Sequence, residues 1–299
     1  MTFTIRLANA PVSWGIQEGT GWGRGEAWAM VLDEIAQAGY AGTELGDYGF
    51  LPTDPARLRE ALAARHLEML GSFLEANLHT RSAWTTAQAE ALRNGRLVAE
   101  TGGRYLVLSE TGDERRRAGA GRVTPKMGLT DEQWAVAGEG ANFIARAVRD
   151  ELGLETVFHH HVGTFVETPD EVARIMAATD PELVGLCLDT GHYAFGGGNP
   201  REALRRYGQR VRYLHFKDVS VARLAEARAR GLSFHEAVAA GVFTELGQGV
   251  VDFPGLLADL AAHNYEGWAC VEQDIVPGGG IIPLDSAVRS REYLRLLGL

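Results

Sequence analysis

Four apolar stretches in the second half of the chain each end in histidine or carboxylate side chains. These side chains are His159, His160 and His161 after ETVF, Asp189 after LVGLCL, His215 within VRYLHF and Glu272 after GWACV. A charged group that follows a buried run costs free energy unless it is paired or bound to a metal. Imidazoles and carboxylates together suit a divalent metal of intermediate hardness, such as Mn²⁺, Co²⁺, Zn²⁺ or Fe²⁺. No thiolate belongs to the set, which disfavours a structural zinc site.

Three consecutive histidines at the end of a strand must divide between its two faces. Side chains two residues apart share a face, so His159 and His161 point the same way as Val157. His160 then faces the helices or the rim, as does Phe158. The inward set predicted at this end of the strands is therefore His159, His161, Asp189, His215 and Glu272.

Each of these residues also has a structural interpretation. A single histidine at a strand end is commonly held by hydrogen bonds rather than by a metal. Asp189 precedes Thr-Gly and also fits a helix N-cap or a turn. Lys217 and Asp218 also fit a surface ion pair of little energetic weight. The convergence of four strand ends favours the metal site over these alternatives.

The elements that must position these side chains alternate along the whole chain. The apolar runs predict strands at 4–9, 42–46, 67–73, 104–110, 155–161, 183–189, 211–217 and 267–274. The amphipathic segments predict helices at 26–39, 54–66, 83–100, 131–153, 168–179, 199–210, 253–264 and 283–299. This alternation indicates parallel strands joined by crossover helices.

Eight such units predict one (β/α)8 TIM barrel domain over residues 1–299. Long βα loops are expected at about 111–128 and 218–251, the second partly helical. A doubly wound open sheet is the alternative fold class. It would require a G-x-G-x-x-G pattern after the first strand, and the glycines of GTGWGRG (Gly19–Gly25) do not fit that spacing.

Composition and charge indicate which classes of binding partner are disfavoured for this chain. The chain is 45% hydrophobic and 23% charged, as in an ordinary globular protein, and its formal net charge is −10. That charge disfavours nucleic acid and membrane surfaces as partners. Cys187 and Cys270 lie in apolar runs and are expected to be buried, reduced thiols. No secretory signal or membrane span is visible, so we expect a cytoplasmic location.

The strand-end motifs also carry a family resemblance. VGLCLDTGHYAFGG, YLHFKDV and WACVEQD resemble the late-strand motifs of the xylose isomerase-like TIM barrels. That superfamily includes sugar isomerases, keto-sugar 3-epimerases, inosose dehydratases and an apurinic-site endonuclease branch. NAPVSWG, GYAGTELGDYGFLPTDP and FHHHVGT are most similar to the inosose dehydratase-like branch. The resemblance covers nearly the whole chain and implies the same barrel.

The resemblance implies a divalent metal, often Mn²⁺ or Co²⁺, with Zn²⁺ and Fe²⁺ as alternatives. By motif, Asp189, His215 and Glu272 match three of the family's ligands. Where many members have Glu-Pro-His, this chain has three histidines. The resemblance there implies His159 as the fourth ligand, with His161 near the metal or on the substrate, and the reverse assignment stays open.

The resemblance also suggests residues for the substrate. His192 of the DTGH motif is similar to a residue that contacts a substrate hydroxyl in these enzymes. Trp14, Glu44, Lys217 and the region of Glu110 are further candidates for the pocket, and Glu44 is equally compatible with a structural ion pair. The endonuclease branch assembles three metals and a basic DNA groove, which the net charge of −10 disfavours.

The predicted function is a metal-dependent lyase or isomerase that acts on a keto-polyol or keto-sugar through an enediolate. An inosose dehydratase-like activity is the first hypothesis, and a keto-sugar isomerase or 3-epimerase is the alternative. Glu272 is the candidate base, and His161, His192 and Lys217 are candidate acids. A non-catalytic sugar-binding barrel and an apurinic-site endonuclease-like phosphodiesterase are further alternatives. The expected partner is a sugar or keto-inositol, and barrels of this kind often form dimers or tetramers.

Overall fold

A computed structural model describes residues 4–16 and 27–299 of the chain. The GTGWGRG segment, Gly19–Gly25, lies outside the described residues. Within them, nine strands form one parallel sheet and two form a short antiparallel pair. The strands are β1 (Thr4–Asn9), β2 (Gly42–Thr43), β3 (Glu68–Met69), β4 (Gly71–Ala76), β5 (Tyr105–Glu110), β6 (Glu155–His159), β7 (Val184–Asp189), β8 (Val211–Phe216), β9 (Asp218–Val219), β10 (Phe243–Thr244) and β11 (Glu266–Val271).

The parallel sheet closes on itself through a divided third barrel strand. β3 pairs with β2 and β4 pairs with β5, and only Leu70 separates β3 from β4. The Leu70 N–H donates to the Thr43 carbonyl at 2.9 Å, and the Leu70 carbonyl accepts the Tyr105 N–H at 2.9 Å. One residue thus joins both neighbours, so β3 and β4 together form one strand of an eight-stranded barrel. The predicted (β/α)8 TIM barrel is confirmed.

All eight predicted helices are present, with ends that differ by a few residues. The α-helices of the described residues are α1 (Trp28–Gln37), α2 (Pro55–Ala63), α3 (Trp84–Glu100), α4 (Glu114–Ala118), α5 (Asp131–Leu152), α6 (Pro169–Ala178), α7 (Thr190–Phe195), α8 (Pro200–Tyr207), α9 (Val221–Arg230), α10 (Phe234–Ala239), α11 (Phe253–Ala262) and α12 (Pro283–Leu296). The sequence predicts neither α4 nor α7. None of the helices in this part of the chain has the length and apolar character needed to cross a membrane.

Three of the predicted strands are too long at their C-terminal ends. The sequence predicts strands that run to Gly46, His161 and Asp274, whereas β2, β6 and β11 end three, two and three residues earlier. After β6 the backbone turns, and the His161 N–H donates to the Val166 carbonyl at 3.0 Å rather than to a neighbouring strand. The sequence pattern of a strand continues past these ends, but the hydrogen bonds to the neighbouring strands stop there.

Side chains alternate between two apolar layers, as a barrel requires. Val157, Cys187, Tyr213 and Cys270 belong to a small cluster that fills the barrel interior. Residues one position away on the same strands, such as Phe158, belong to the larger cluster between strands and helices. Both cysteines are buried and free, as predicted. Because the period of a strand is two, the side chain two residues after each interior residue also points inward.

Candidate active site

The candidate site lies at the C-terminal ends of the barrel strands, two residues beyond the interior layer. His159, Asp189, His215 and Glu272 follow Val157, Cys187, Tyr213 and Cys270 at that spacing. His159, His215 and Glu272 line a cavity whose walls include Val12, Ile16, Phe73 and Phe234. Asp189 does not line it but lies next to His159 and His215. Of the nine predicted site residues, seven line this cavity: Glu44, His159, His161, His192, His215, Lys217 and Glu272.

Three of the four predicted metal ligands, His159, Asp189 and His215, each offer one atom within 4.8 Å of the other two, and Glu272 adjoins His215. Asp189 Oδ2 lies 3.5 Å from His159 Nε2 and 3.8 Å from His215 Nδ1. His215 Nδ1 lies 3.2 Å from Glu272 Oε2. All four side chains are buried, and within the described part of the chain neither Asp189 Oδ2 nor His215 Nδ1 has a hydrogen-bond partner. Ligands about 2.0–2.2 Å from one metal ion lie at such separations from each other.

Asp189 performs two roles with its two oxygens. Oδ1 accepts the His192 N–H at 2.7 Å and caps the N-terminus of α7. Oδ2 faces the neighbouring ligand atoms, so the capping and metal-binding interpretations of Asp189 are compatible. Burial raises the pKa of this carboxyl, but the Lys217 ammonium 3.6 Å away, together with His192 and His159, holds the pKa well below its usual value. Asp189 is therefore a carboxylate at neutral pH.

A buried carboxylate orients His215. Glu44 Oε1 lies 2.9 Å from His215 Nε2 and also accepts the Tyr213 hydroxyl at 2.8 Å. A proton on Nε2 would satisfy this contact and leave Nδ1 facing the other predicted ligands. Burial lowers the pKa of His215, but the carboxylates of Glu272 and Glu44 help to raise it well above its usual value. The pocket thus favours positive charge at this position.

The three consecutive histidines occupy three different environments. His159 Nε2 faces Asp189, as described above. His160 is fully buried outside the cavity, where its Nε2 accepts the Asp189 N–H at 3.3 Å. His161 lines the cavity, and its Nδ1 lies 2.8 Å from the Val162 carbonyl. Burial lowers the pKa of His160 and of His161 to about 3, so both are neutral imidazoles.

A second group of polar side chains lies beside the first. His161, His192 and Asp274 each offer one atom, and these atoms lie within 4.8 Å of one another. Lys217 Nζ donates to Asp274 Oδ1 at 2.7 Å and lies 3.1 Å from His192 Nε2. Burial lowers the pKa of Lys217, but Asp274, Asp189 and Glu272 raise it above its usual value, so Lys217 stays an ammonium.

Asp274 is the main site residue that the sequence prediction missed. It follows Glu272 by two residues, and the alternation that located Glu272 was sufficient to find it. Burial raises the pKa of Asp274 to about 6, although Lys217 opposes the shift. Phe73, Glu75, Arg117 and Phe234, which also line the cavity, carried no comparable signal because they lie on other strands and connections.

Two of the suggested pocket residues do not line the cavity. The Trp14 indole is buried and donates from Nε1 to Glu34 Oε2 on α1 at 2.6 Å, so it holds the first helix instead. Glu110 is buried at the end of β5, where Oε1 accepts the N–H groups of Leu78 and Thr111 at 3.2 and 2.9 Å. In both cases hydrogen bonds to neighbouring elements turn the side chain away from the cavity.

The connection at 218–251 covers one side of the site. The Phe234 ring on α10 packs against His161 and His192, with ring centroids 5.1 and 5.8 Å apart. The Asp218 carboxylate holds this connection together, because it accepts backbone N–H groups at 2.9–3.0 Å from Val219, Gly247, Gly249 and Val251. Asp218 therefore binds backbone N–H groups, and the surface ion pair with Lys217 that the sequence suggested is wrong.

Relatives with similar sequences match nearly the whole chain. The inosose dehydratase of Clostridium botulinum (strain Alaska E43 / Type E3) is 31% identical over 296 residues, which are 97% of this chain and 96% of the relative. The rhizopine catabolism protein MocC of Rhizobium meliloti is 37% identical over 275 residues, which are 92% and 83% of the two chains.

A solved structure and a family model agree with these relatives. The crystal structure of IOLI protein with a binding zinc atom superimposes with a TM-score of 0.71 over 98% of both chains, at 16% identity. The model of the xylose isomerase-like TIM barrels matches residues 32–297. With the closed barrel and the polar strand ends, these matches place the protein: the chain belongs to the xylose isomerase-like TIM barrel family.

Proposed function

We propose that this protein is a divalent-metal-dependent carbon–oxygen lyase that acts on a keto-inositol, as an inosose dehydratase does. The observation that carries the proposal is the close approach of His159, Asp189 and His215, with Glu272 beside His215, at the cavity. The full-length similarity to inosose dehydratases supports the substrate class. A site at the C-terminal ends of barrel strands is where enzymes of this fold act.

The donor set fits a metal ion. Two imidazoles and two carboxylates are suitable ligands for Mn²⁺, Co²⁺, Zn²⁺ or Fe²⁺, and the zinc atom in IOLI protein supports a metal in this family. His159 is the better fourth ligand than His161, because His159 Nε2 is 3.5 Å from Asp189 Oδ2 and its Nδ1 has no partner in the described chain. A bound metal would act as a Lewis acid on the ketone oxygen and acidify the adjacent C–H.

The chain's own residues provide the proton acceptor. Glu272 is buried and faces the cavity, and burial raises the pKa of its carboxyl, whereas His215 and Lys217 together lower it to about 2. Glu272 is therefore ionised and can accept the proton from the α-carbon of the bound ketone. The apolar walls around it, which include Ile16, Phe73 and Phe234, exclude water from the reacting carbons.

The proton donor and the substrate contacts lie beside Glu272 in the same cavity. The Lys217 ammonium lies 3.2 Å from Glu272 Oε2 and can hydrogen-bond to the β-hydroxyl and protonate it as it leaves. Loss of the α-proton and the β-hydroxyl together releases one water and leaves an unsaturated ketone. His192 and His161 face the same space and can bind the other substrate hydroxyls.

A keto-sugar isomerase or 3-epimerase is the second candidate, because the neutral His161 and His192 are proton acceptors separate from Glu272. With an acceptor on another face of the substrate, the abstracted proton can be replaced instead of a hydroxyl being lost. The first step is the same in both reactions. The product therefore distinguishes the two functions.

The test uses metal-free protein reloaded with Mn²⁺ or Co²⁺ and mixed with keto-inositols and ketohexoses in deuterated water. We expect ultraviolet absorbance of a conjugated ketone and deuterium at the α-carbon with a keto-inositol. Asp189→Asn keeps a capping oxygen but removes the charge, and it should lose both metal and turnover. Asp54→Asn, the same change at the N-cap of α2, is the control and should retain both.

Other outcomes identify the other functions. Deuterium exchange without water loss would support the isomerase or epimerase. Thermal stabilisation by sugars without deuterium exchange would indicate a binding module and contradict the lyase. Cleavage of duplex DNA at an abasic site would indicate a phosphodiesterase and also contradict it.

A further inference from the structure

Lys217 lies between two groups of potential metal ligands. The first cluster is the proposed metal site, formed by His159, Asp189, His215 and Glu272. The second cluster is formed by His161, His192 and Asp274. The Lys217 ammonium contacts both clusters, and its side chain is almost fully buried.

The Lys217 ammonium lies within contact distance of side chains from both clusters. Lys217 Nζ is 2.7 Å from Asp274 Oδ1 and 3.1 Å from His192 Nε2 in the second cluster. It is 3.2 Å from Glu272 Oε2 and 3.6 Å from Asp189 Oδ2 in the first. In two-metal sites, carboxylates lie between two cations in the same way. Here one of those cation positions holds an ammonium.

Charge balance explains why a cation is needed there. Asp189, Glu272 and Asp274 place three buried carboxylates within 3.6 Å of the Lys217 ammonium. One divalent metal in the first cluster would neutralise two of them, and the ammonium of Lys217 neutralises the third. Buried charges that are not paired in this way cost several kcal/mol each.

The choice of lysine over arginine agrees with this role. The chain has only two lysines, Lys126 and Lys217, among its 29 lysines and arginines. An ammonium is a compact point charge, whereas a guanidinium is a planar fork that is larger than a metal ion. At the one buried position where a point charge is required, the chain uses lysine.

We infer that Lys217 occupies the second cation position of a two-cation site, so that the protein binds one divalent metal in the first cluster and supplies the second positive charge itself. The inference rests on the metal site of the proposed function. The second cluster is then a latent metal site, which the Lys217 ammonium keeps a metal ion from entering. Removal of the ammonium should open it to a divalent metal.

The test is metal stoichiometry, which does not depend on turnover. Metal-free protein is titrated with Mn²⁺, and bound metal is counted by elemental analysis and by loss of the free-ion electron paramagnetic resonance signal. We expect one Mn²⁺ per chain in the wild type, even with excess metal, and two in Lys217→Ala. The two ions should give the spectrum of a spin-coupled pair, because Glu272 and Asp189 face both positions.

Two variants control the result. Lys126→Ala makes the same change at the exposed lysine and should bind one Mn²⁺. Lys217→Ala combined with Asp274→Asn removes a ligand of the second cluster and should return the count to one. Circular dichroism and the melting temperature verify that each variant is folded.

Three outcomes would overturn the inference. A folded Lys217→Ala protein that binds one Mn²⁺ would refute the latent site and leave the proposed function intact. Wild type that binds two ions would refute it without any variant. Wild type that binds no metal would refute both this inference and the metal site of the proposed function.

Discussion

Substitution of Glu44 by glutamine tests how the barrel orients its histidine ligand. Glu44 Oε1 lies 2.9 Å from His215 Nε2 and also accepts the Tyr213 hydroxyl at 2.8 Å. Glu44→Gln retains the shape and one acceptor oxygen but removes the charge. Both hydrogen bonds then change from charge-assisted to neutral, which costs about 1 kcal/mol each.

Of the two hydrogen bonds of Glu44, only the one to His215 should affect metal affinity. A loss of about 1 kcal/mol in the orientation of one ligand weakens metal binding by roughly 5- to 10-fold, and substitutions of such outer partners usually cost about 10- to 100-fold. We therefore expect a dissociation constant for Mn²⁺ about 10-fold higher in Glu44→Gln. Weakening of the hydrogen bond to Tyr213 should be seen separately, as a lower free energy of unfolding.

The assay is competition with a chelator at fixed pH, with KM for the substrate measured at saturating metal. Glu68→Gln, the same change at an exposed carboxylate paired with Arg6, is the control and should leave metal affinity unchanged. An unchanged metal affinity in Glu44→Gln together with a raised KM would refute this reasoning. That result would assign Glu44 to the substrate, as the sequence first suggested.

Three further predictions concern residues outside the metal site. Arg116→Ala should lower the free energy of unfolding by about 3–5 kcal/mol in urea titrations, because it leaves Glu171 without its buried partner. Trp14→Phe should cost about 1 kcal/mol of stability and leave KM unchanged, because the indole hydrogen bond is to a helix. Asp259→Asn should destabilise the protein at pH 6 but much less at pH 3, because Arg201 lowers the pKa of Asp259.

The sign of the last prediction follows from proton binding. The pKa of Asp259 is lower in the folded than in the unfolded chain, so its contribution is complete above the unfolded value of about 3.9 and is lost as the pH falls through the folded value. An equal difference between wild type and variant at both pH values would contradict it. Wild-type stability in Arg116→Ala, or a raised KM in Trp14→Phe, would contradict the other two.

The inward-facing residues at the strand ends could be predicted because their direction depends on local backbone geometry. In a strand the side chains alternate with a period of two, so the residue two positions after each interior apolar residue must also point inward. Val157 therefore predicts His159, and Cys187 predicts Asp189. The same rule reaches Asp274 from Glu272 within the predicted strand at 267–274, where it was not applied.

Helices α4 and α7 were missed because they have five and six residues, too few to show a helical period. The apolar runs overestimated β2, β6 and β11, since hydrophobicity continues where strand hydrogen bonds stop. The sequence pattern also could not predict the direction of the Trp14 side chain. It depends on a hydrogen bond to Glu34, which lies 20 residues away.

Residue spacing alone thus accounts for the barrel and for which side chains point into it, because both follow from short-range periodicity. Distances between strands do not follow from periodicity. The contact of Glu44 with His215 and that of Lys217 with Asp274 span 171 and 57 residues and arise only when the barrel closes. Closure therefore brings together the inward side chains of the proposed metal site and places Lys217 beside them.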